Sequence, residues 1–330
     1  MRWVLLAPRM GVVAQWARSF MADAHLNRLI QVHFPESIVT GIARLTGGVS
    51  ADVHRIDLDD RGAPRSVVVR EHGERHGGHP ASIEFALLQA LHESGVLVPK
   101  PLALDISKTV SEHDCLVIEH IAGDSNIPDV EVDHYLAQAA DALAGIHEKV
   151  LQGLAGLPAL PDRLEPLPEG FDYWPEGKDW QLLKRFLQQH DWPSFSGSHS
   201  LLHGDFWPEN LLWKNGVLAA VLDWEDAAVG DPLSDLAASR VEFRYQFGRE
   251  GMQIFTSAYS RHRAIDATRL ALWQIYVAAA GQHFMGDWGL PVDRVQHMRR
   301  VALSAIKEAG EALMNGKDLL EMDRERQTEF

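Results

Sequence analysis

The order of apolar and polar positions divides this chain into two parts with different secondary structure. Residues 12–33 have helical periodicity. Short runs of β-branched and alternating residues follow, and Gly-containing turns separate them, so they predict an antiparallel meander of three strands. These strands are expected over residues 38–45, 53–58 and 66–70. A helix and two further strands complete the first part, and we expect them at 81–94, 102–106 and 115–120.

The second part of the chain is predicted to be mainly helical. After Gly123 the apolar positions recur at helical spacing. The helical segments are expected at 132–149, 180–190, 233–245, 251–262, 267–281 and 292–314. We therefore predict an α+β protein with an N-terminal helical extension over 1–34, a small β lobe over 35–122 and a larger helical lobe over 123–330.

The charge balance argues against one class of partner and slightly favours another. The 330 residues include 31 Lys and Arg against 46 Asp and Glu, which gives a formal net charge of -15. Nucleic-acid backbones are held by Lys and Arg, so we expect no nucleic-acid binding. An acidic chain is better suited to a neutral or cationic small molecule, although many enzymes are acidic for solubility alone.

Cysteine content and hydropathy indicate the cellular compartment in which the protein is expected. The single cysteine, Cys115, excludes an internal disulfide framework and a thiolate metal cluster, and its apolar neighbours predict a buried strand residue. No apolar run approaches the roughly 20 residues that a membrane helix needs. The first 20 residues make a poor signal peptide because charged residues and Pro8 interrupt their apolar run. We expect a cytoplasmic protein that does not bind membranes.

One stretch carries most of the chemical information. Residues 201–212 read LLHGDFWPENLL and residues 218–225 read LAAVLDWE. Residues 214–216 between them predict a tight hairpin turn, which would bring Asn210 and Asp223 to the same end of a strand pair. Two oxygen-bearing side chains there suit Mg²⁺. Asp205 would lie one short loop away, where it can accept a proton from a hydroxyl group.

These strings, together with GDPLSDLA at residues 230–237, resemble the aminoglycoside phosphotransferase/choline kinase family, which is related to the protein kinases. The resemblance covers nearly all of residues 35–310. It implies a protein-kinase-like fold, with an antiparallel β lobe that binds nucleotide and a larger helical lobe that carries catalysis and substrate binding. It also implies ATP and Mg²⁺ as cofactors and a small hydroxyl compound as partner.

The resemblance assigns roles residue by residue. Asp205 becomes the catalytic aspartate, Asn210 and Asp223 become Mg²⁺ ligands, and His203 braces the loop through hydrogen bonds. The residues expected to meet the nucleotide lie in a Gly turn over the phosphates and in an inter-lobe hinge at the adenine. They are Gly47, Gly48, Ser50, Glu119 and Ile121.

Arg70 is a departure from the protein-kinase pattern. The third strand ends on Arg70 where protein kinases place Lys. Arginine keeps the positive charge and can grip phosphate through two N–H groups. Glu84, on the following helix, is its expected ion-pair partner in the nucleotide site, and an ordinary surface pair is the alternative.

Several further residues are candidates for substrate contact. Glu225 and Asp226 directly follow the predicted metal ligand and either face the substrate cleft or lie on the surface. Late helices of the large lobe line the acceptor site in the resembled family, which makes His283, Asp287 and Trp288 candidates, with ordinary core packing as the alternative. Two other aspartates have structural expectations: Asp231 as a helix N-cap and Asp235 as support beneath the catalytic loop.

The leading hypothesis is a small-molecule kinase that moves the γ-phosphoryl group of ATP to a hydroxyl of an aminoglycoside-, choline- or homoserine-like acceptor. A protein kinase is less favoured, because the short segment from Asp223 to residues 230–232 leaves little room for an activation segment that docks a peptide. A nucleotide-binding regulatory module without catalysis is a third possibility, which only Arg70 raises.

Overall fold

The computed structural model describes residues 24–45, 51–73, 78–128, 131–149, 160–166 and 174–325. Its internal contacts divide the chain into two units. The first unit contains Met1–Phe85 and Lys100–His120, and the second contains Ala86–Pro99 and Ile121–Phe330. The domain boundaries expected after residues 34 and 122 stay predictions.

A five-stranded antiparallel sheet forms the framework of the first unit. Its strand order is β1-β2-β3-β5-β4. The strands are β1 (Ser37–Arg44), β2 (Asp52–Asp60), β3 (Ala63–His72), β4 (Pro101–Asp105) and β5 (Asp114–Glu119). The meander of β1, β2 and β3 and the two later strands are therefore confirmed, together with the β part of the α+β prediction.

A helix over residues 24–33, α1, packs against this sheet. Leu26, Leu29 and Ile30 are fully buried against a set of sheet residues that alternate along their strands, so that they lie on one face. These sheet residues are Ile56, Leu58, Val67, Val69, Cys115 and Val117. The burial of Cys115 is confirmed, and it raises the pKa of the thiol to about 12. The predicted helical residues before 24 lie outside the part of the chain that the structure describes.

The second unit is mainly helical. Helix α2 (Ala81–Glu93) begins in the first unit and ends in the second. The later helices are α3 (Val132–Glu148), α4 (Lys178–Gln189), α5 (Pro232–Tyr259), α6 (Ala267–Phe284), α7 (Val292–Asn315) and α8 (Leu319–Glu325). The span of α5 consists of two helical segments that meet at a kink at Gly248, where φ is 70° and ψ is -170°. This agrees with the two helices predicted at 233–245 and 251–262.

Two small sheets interrupt these helices and position the loops between them. One has the strand order β6-β10-β7, with β6 (Asp162–Arg163), β7 (Ser200–Leu202) and β10 (Ala228–Gly230). The other is the hairpin of β8 (Leu211–Lys214) and β9 (Val217–Val221). In the hairpin turn Asn215 and Gly216 both have positive φ, 54° and 79°, which is the geometry of the tight turn expected there.

The C-terminal tail departs from expectation. Residues 318–330 are rich in charged residues, which predicts a frayed tail, but α8 packs on the second unit with Leu319, Met322 and Asp323 buried. Asp323 accepts hydrogen bonds from Arg240 (2.6 Å) and Arg249 (3.3 Å) of α5. These partners lie more than 70 positions away in sequence, so no local pattern predicts the pairing.

A buried carboxylate on α7 predicts how stability depends on pH. Glu308 accepts hydrogen bonds from Arg244 (2.9 Å) and Arg249 (2.5 Å). Burial alone would raise its pKa, but these two arginines lower the pKa of Glu308 from 4.5 to about 2. Because the folded pKa lies below the unfolded one, the stabilisation is complete above about pH 4.5 and is lost as the pH falls toward 2.

We therefore expect Glu308→Gln to lower the free energy of unfolding at pH 7 by about 3 kcal/mol. The difference from the wild type should shrink between pH 4.5 and pH 3, as urea titrations at each pH would measure. Glu250→Gln on α5 is the control, because Glu250 is exposed and exposed surface charges contribute little. An equal loss for both variants at pH 7 would contradict the assignment.

Candidate active site

The loop at residues 203–205 directly follows a short buried strand, β7. Leu201 and Leu202 of β7 are fully buried. Strand β7 pairs antiparallel with β10, so that Leu202 lies opposite Ala228. The residues that follow β7 therefore lie beside the residues that precede β10, and the sheet brings the loop at His203 next to the turn at 224–227.

His203 is a buried structural histidine with a defined tautomer. Its Nε2–H donates to the carbonyl of Leu222 at 2.9 Å, and its Nδ1 accepts the backbone N–H of Asp205 at 3.2 Å. Burial lowers the pKa of His203. The neutral ring therefore ties the loop to the end of β9, which agrees with the bracing role expected from the sequence.

Asp235, in the first turn of α5, holds the same loop from the other side. Its carboxylate accepts the backbone N–H of His203 at 2.6 Å and that of Gly204 at 3.1 Å. His147 lies 3.3 Å from the same carboxylate. Burial alone would raise the pKa of Asp235, but the hydrogen bond and charge of His147 hold that pKa below its usual range. The expectation that Asp235 supports the loop matches these contacts.

Gly204 is the residue that the close packing of this loop requires. Its φ is 88°, and a Cβ atom there would lie 2.0 Å from the backbone oxygen of Asp226. No side chain fits in that space, so the loop passes the turn at 224–227 at backbone-to-backbone distance.

The β8–β9 hairpin brings together the two residues expected to bind metal. Asn210 ends a 3₁₀ turn just before β8, and its carbonyl accepts the backbone N–H of Leu222 at 2.8 Å. Asp223 directly follows Leu222, and its φ of 62° is rare for a residue with a side chain. The hairpin therefore places Asn210 and Asp223 at the same end of the strand pair, as predicted.

Asp205 lies beside this hairpin end. The side-chain amide of Asn210 donates to the backbone carbonyl of Asp205 at 2.9 Å and to its carboxylate at 3.0 Å. The residue as a whole is exposed, but crowding of its carboxyl group by protein atoms, followed by the charges of Asp223 and Asp226, raises the pKa of Asp205 to about 7. This is the environment of a carboxylate that accepts protons readily near neutral pH.

In the first unit, the expected pair of Arg70 and Glu84 is present. Arg70 donates to Glu84 at 2.8 Å, and both side chains are buried. His72 lies 3.1 Å from the other oxygen of the same carboxylate. A buried arginine at the end of β3 is therefore fixed in place by α2, which excludes the alternative of an ordinary surface pair.

Only some of the other residues that were predicted to contact the nucleotide lie in the described part of the chain. Gly47, Gly48 and Ser50 lie outside the described residues. Glu119 ends β5, and its backbone N–H donates to the carbonyl of Lys100 at 2.9 Å, so this N–H is not available to a nucleotide. Ile121 is the first residue after the division between the two units.

A cavity of about 740 Å³ in the second unit touches the loop at residues 203–205 through Gly204. Its walls come from β6 and from α5 and α6, and most of them are apolar or aromatic. The aromatic residues are Tyr245, Trp273, Tyr276, Phe284 and Trp288. Its size and lining are those of a small-molecule site.

The predicted substrate residues are only partly brought to this cavity. Trp288 lines it, whereas His283 and Asp287 are exposed and do not. Glu225 and Asp226 form the turn beside Gly204, where Glu225 is half-buried and Asp226 is exposed. Of the five candidates, Trp288 therefore has the placement that substrate contact requires.

Comparison with known proteins agrees with this site. Residues 41–273 match the model of the phosphotransferase enzyme family, which is well over half of the chain. The chain belongs to this family. The family expected from the sequence is therefore confirmed, and the matched range contains every residue of the candidate site from Arg70 to Asp235.

The curated relatives of this chain differ in name and in the share of their length that the match covers. Acyl-CoA dehydrogenase family member 11 of Homo sapiens is 26% identical over 238 residues, which cover 61% of this chain but only 29% of that relative. Viomycin phosphotransferase of Streptomyces vinaceus is 26% identical over 167 residues, 44% of this chain and 55% of the relative. The chain thus spans well under two thirds of the length of these curated relatives.

A solved structure confirms the kinase-like fold. It is a thermostable mutant of aminoglycoside phosphotransferase APH(4)-Ia in a ternary complex with AMP-PNP and hygromycin B. The match has a TM-score of 0.59 at 16% identity and covers 86% of this chain and 98% of the other. Separately, no helix among the described residues is long and apolar enough to cross a membrane.

Sequence reasoning missed the four charged residues that line the cavity, Asp162, Arg163, Glu165 and Glu242. Glu242 follows Asp235 by seven positions, two helical turns, and Tyr245 follows three positions later, so the periodicity of α5 could have placed both on the face of Asp235. No comparable signal marks Arg163, because it lies in residues 156–175, where the many Pro and Gly residues predict irregular structure.

The clash at Gly204 gives a direct test of the loop geometry. We expect Gly204→Ala to lower the free energy of unfolding by about 3 kcal/mol or more, since it adds backbone strain and a steric overlap. Gly62→Ala is the matched control, because Gly62 has nearly the same φ of 87° with no atom within 4 Å of a Cβ. It should cost only about 1–2 kcal/mol. Equal losses in urea unfolding would refute the close approach.

Proposed function

We propose that this phosphotransferase transfers the γ-phosphoryl group of ATP to a hydroxyl group of a small molecule. The observation that carries the proposal is the arrangement of Asp205, Asn210 and Asp223 around one hairpin end, on a loop that His203 and Asp235 hold. Asp205 would align the acceptor hydroxyl and take its proton as the phosphoryl group leaves ATP.

The hairpin end has the chemistry of a Mg²⁺ site. The side-chain amide nitrogen of Asn210 donates to the carboxylate of Asp205. The amide oxygen of Asn210 therefore points away from Asp205 and would be the atom that coordinates the metal ion. The carboxylate of Asp223 supplies the second hard oxygen, and Mg²⁺ commonly takes one or two such side chains together with substrate phosphates. Bound there, Mg²⁺ would offset the negative charge of the phosphates.

Nucleotide binding is proposed for the first unit. The buried Arg70, fixed by Glu84, would hold phosphate through its guanidinium group. The Gly47, Gly48 and Ser50 turn would add backbone N–H groups, and the segment from Glu119 to Ile121 would meet the adenine. The complex of APH(4)-Ia with AMP-PNP supports a nucleotide site in a protein of this fold.

The cavity beside Gly204 is proposed as the acceptor site. It lies in the same unit as Asp205 and is large enough for a small molecule. The substrates named for relatives, viomycin and hygromycin B, are small molecules rather than proteins. This supports a small-molecule kinase over a protein kinase.

Removal of the base tests the proposal. We expect Asp205→Asn to lower acceptor-dependent ADP formation by at least about 100-fold, the usual contribution of a positioned general base, with nucleotide binding retained. Asp179→Asn, an exposed residue of α4, is the control and should keep full activity. If Asp205→Asn turned over at the wild-type rate, the mechanism would be wrong. If the wild type bound nucleotide but transferred phosphoryl to no acceptor, the protein would be a regulatory module.

The metal assignment predicts a second result. Asp223→Asn removes one charged ligand, so we expect the Mg²⁺ concentration for half-maximal activity to rise about 10-fold or more. Asp226→Asn, three residues further along, should change that concentration little. A Mg²⁺ titration of both variants checks this, and the reverse order of effects would move the ligand role to Asp226.

A further inference from the structure

Arg163 is a cavity-lining arginine that forms no ion pair with any described residue. The cavity at Gly204 is lined by Arg163 of β6. Among the described residues its guanidinium group has no hydrogen bond and no ion pair. Its positive charge is nevertheless close enough to lower the pKa of Asp235, the residue beneath the catalytic loop. A half-buried cation therefore lies beside the loop, and no residue in the described part of the chain uses its hydrogen-bond donors.

The neighbouring arginine shows that this is a specific feature of Arg163. Arg269 is bound to the carboxylate of Asp231 and to the carbonyls of Leu164 and Pro193. Its donors are used to hold the protein together. Arg294, at the start of α7, is likewise paired with Glu209 at 2.7 Å. Neither of these two side chains is left for a ligand.

Strand β6 is held rigidly, so the position of Arg163 is fixed. The carbonyl of Arg163 accepts the backbone N–H of Asp231 at 2.9 Å. A Cβ atom on Gly230 would lie 2.0 Å from that carbonyl, so only glycine allows the strand to approach this closely. Adjacent residues of a strand point to opposite faces, which is consistent with the exposure of Asp162 and the partial burial of Arg163.

Most of the cavity lining is aromatic or aliphatic, and the other charged residues in it are Asp162, Glu165 and Glu242. Glu165 accepts the backbone N–H of Phe195 at 2.9 Å and lies 3.6 Å from Arg269, and Asp162 is exposed on the opposite face of β6 from Arg163. Glu242 has no hydrogen bond or ion pair among the described residues. Burial and then the charge of Asp205 raise the pKa of Glu242 to about 8, so near pH 7 it is largely protonated and offsets little of the charge of Arg163.

We propose that Arg163 binds a carboxylate group of the acceptor, so that this enzyme phosphorylates an apolar hydroxy acid. The proposal rests on the proposed function, because it names the class of acceptor for the same site. It differs from the neutral or cationic ligand that the net charge of the chain favours. In the transfer, the hydroxyl oxygen forms the new bond to the γ-phosphorus, ADP leaves, and the hydroxyl proton passes to Asp205.

A matched series of acceptors tests the charge preference. 3-Phenyllactate carries a carboxylate, its amide is neutral, and 1-amino-3-phenylpropan-2-ol is cationic, whereas the benzyl group and the hydroxyl are common to all three. We expect calorimetry with the full chain to show that the carboxylate binds at least 10-fold more tightly than the other two. Arg163→Met should remove that preference through a 10- to 100-fold loss for the carboxylate alone.

Conservative and control variants make the result specific. Arg163→Lys should keep part of the preference, because lysine retains the charge but not the planar pair of donors. Arg185→Met, an exposed residue of α4, should bind all three compounds like the wild type. Equal or tighter binding of the amide or the amine, no detectable binding of 3-phenyllactate, or an unchanged Arg163→Met variant would each overturn the proposal.

Activity measurements separate this proposal from the one on which it rests. Asp205-dependent ADP release with the amine but not with the carboxylate would leave the proposed function standing and overturn the acceptor class. Arg163-dependent binding of 3-phenyllactate without Asp205-dependent ADP release from any acceptor would support the anion site and overturn the kinase reaction.

Discussion

The carboxylate of Asp235 is the interaction on which the rest of the candidate site depends. It accepts two consecutive backbone N–H groups, those of His203 and Gly204, in a buried setting. Backbone donors that are buried must find partners, and a charged acceptor forms stronger bonds than a neutral one. The loop therefore has a single position relative to α5, from which Asp205 projects beside Asn210.

Helix α5 connects this loop to the rest of the second unit. At its start, Asp231 caps the helix through the N–H of Leu233 and also accepts a hydrogen bond from the indole of Trp273 in α6. One turn later Asp235 holds the loop, and two further turns place Glu242 at the cavity. A single helix face thus fixes the loop at residues 203–205 and one wall of the cavity at a set spacing. Changes in this helix should affect both.

Local patterns predicted much of the fold and the centre of the site. Period-two alternation located the strands of the first unit, and the turn at Asn215 and Gly216 located the hairpin that brings Asn210 to Asp223. Strand and hairpin geometry are set by neighbours in sequence, so they can be inferred without tertiary information. The pairing of Arg70 with Glu84 was also inferred, because the resembled family places such a pair there.

Long-range contacts account for what could not be predicted. Helix α8 depends on arginines of α5 that are distant in sequence, and Arg163 reaches the cavity only because β6 pairs with β10 beside Gly230. Charge composition gave no guide to the cavity either. A net charge of -15 describes the whole surface, whereas the ligand responds to the few groups that lie within a Debye length of it.

The sequence by itself determined the family, the strand meander and the order of the candidate site residues, because contiguous strings of residues encode each of them and can be read without knowledge of the fold. Only the tertiary structure decided which polar side chains are bound to other protein groups and which have hydrogen-bond donors left for a ligand. Arg269 and Arg163 are both arginines in the sequence, yet one is bound to Asp231 and two carbonyls and the other faces the cavity. Whether a side chain finds a partner depends on distances between segments that are far apart in sequence, and a local sequence pattern does not predict these distances.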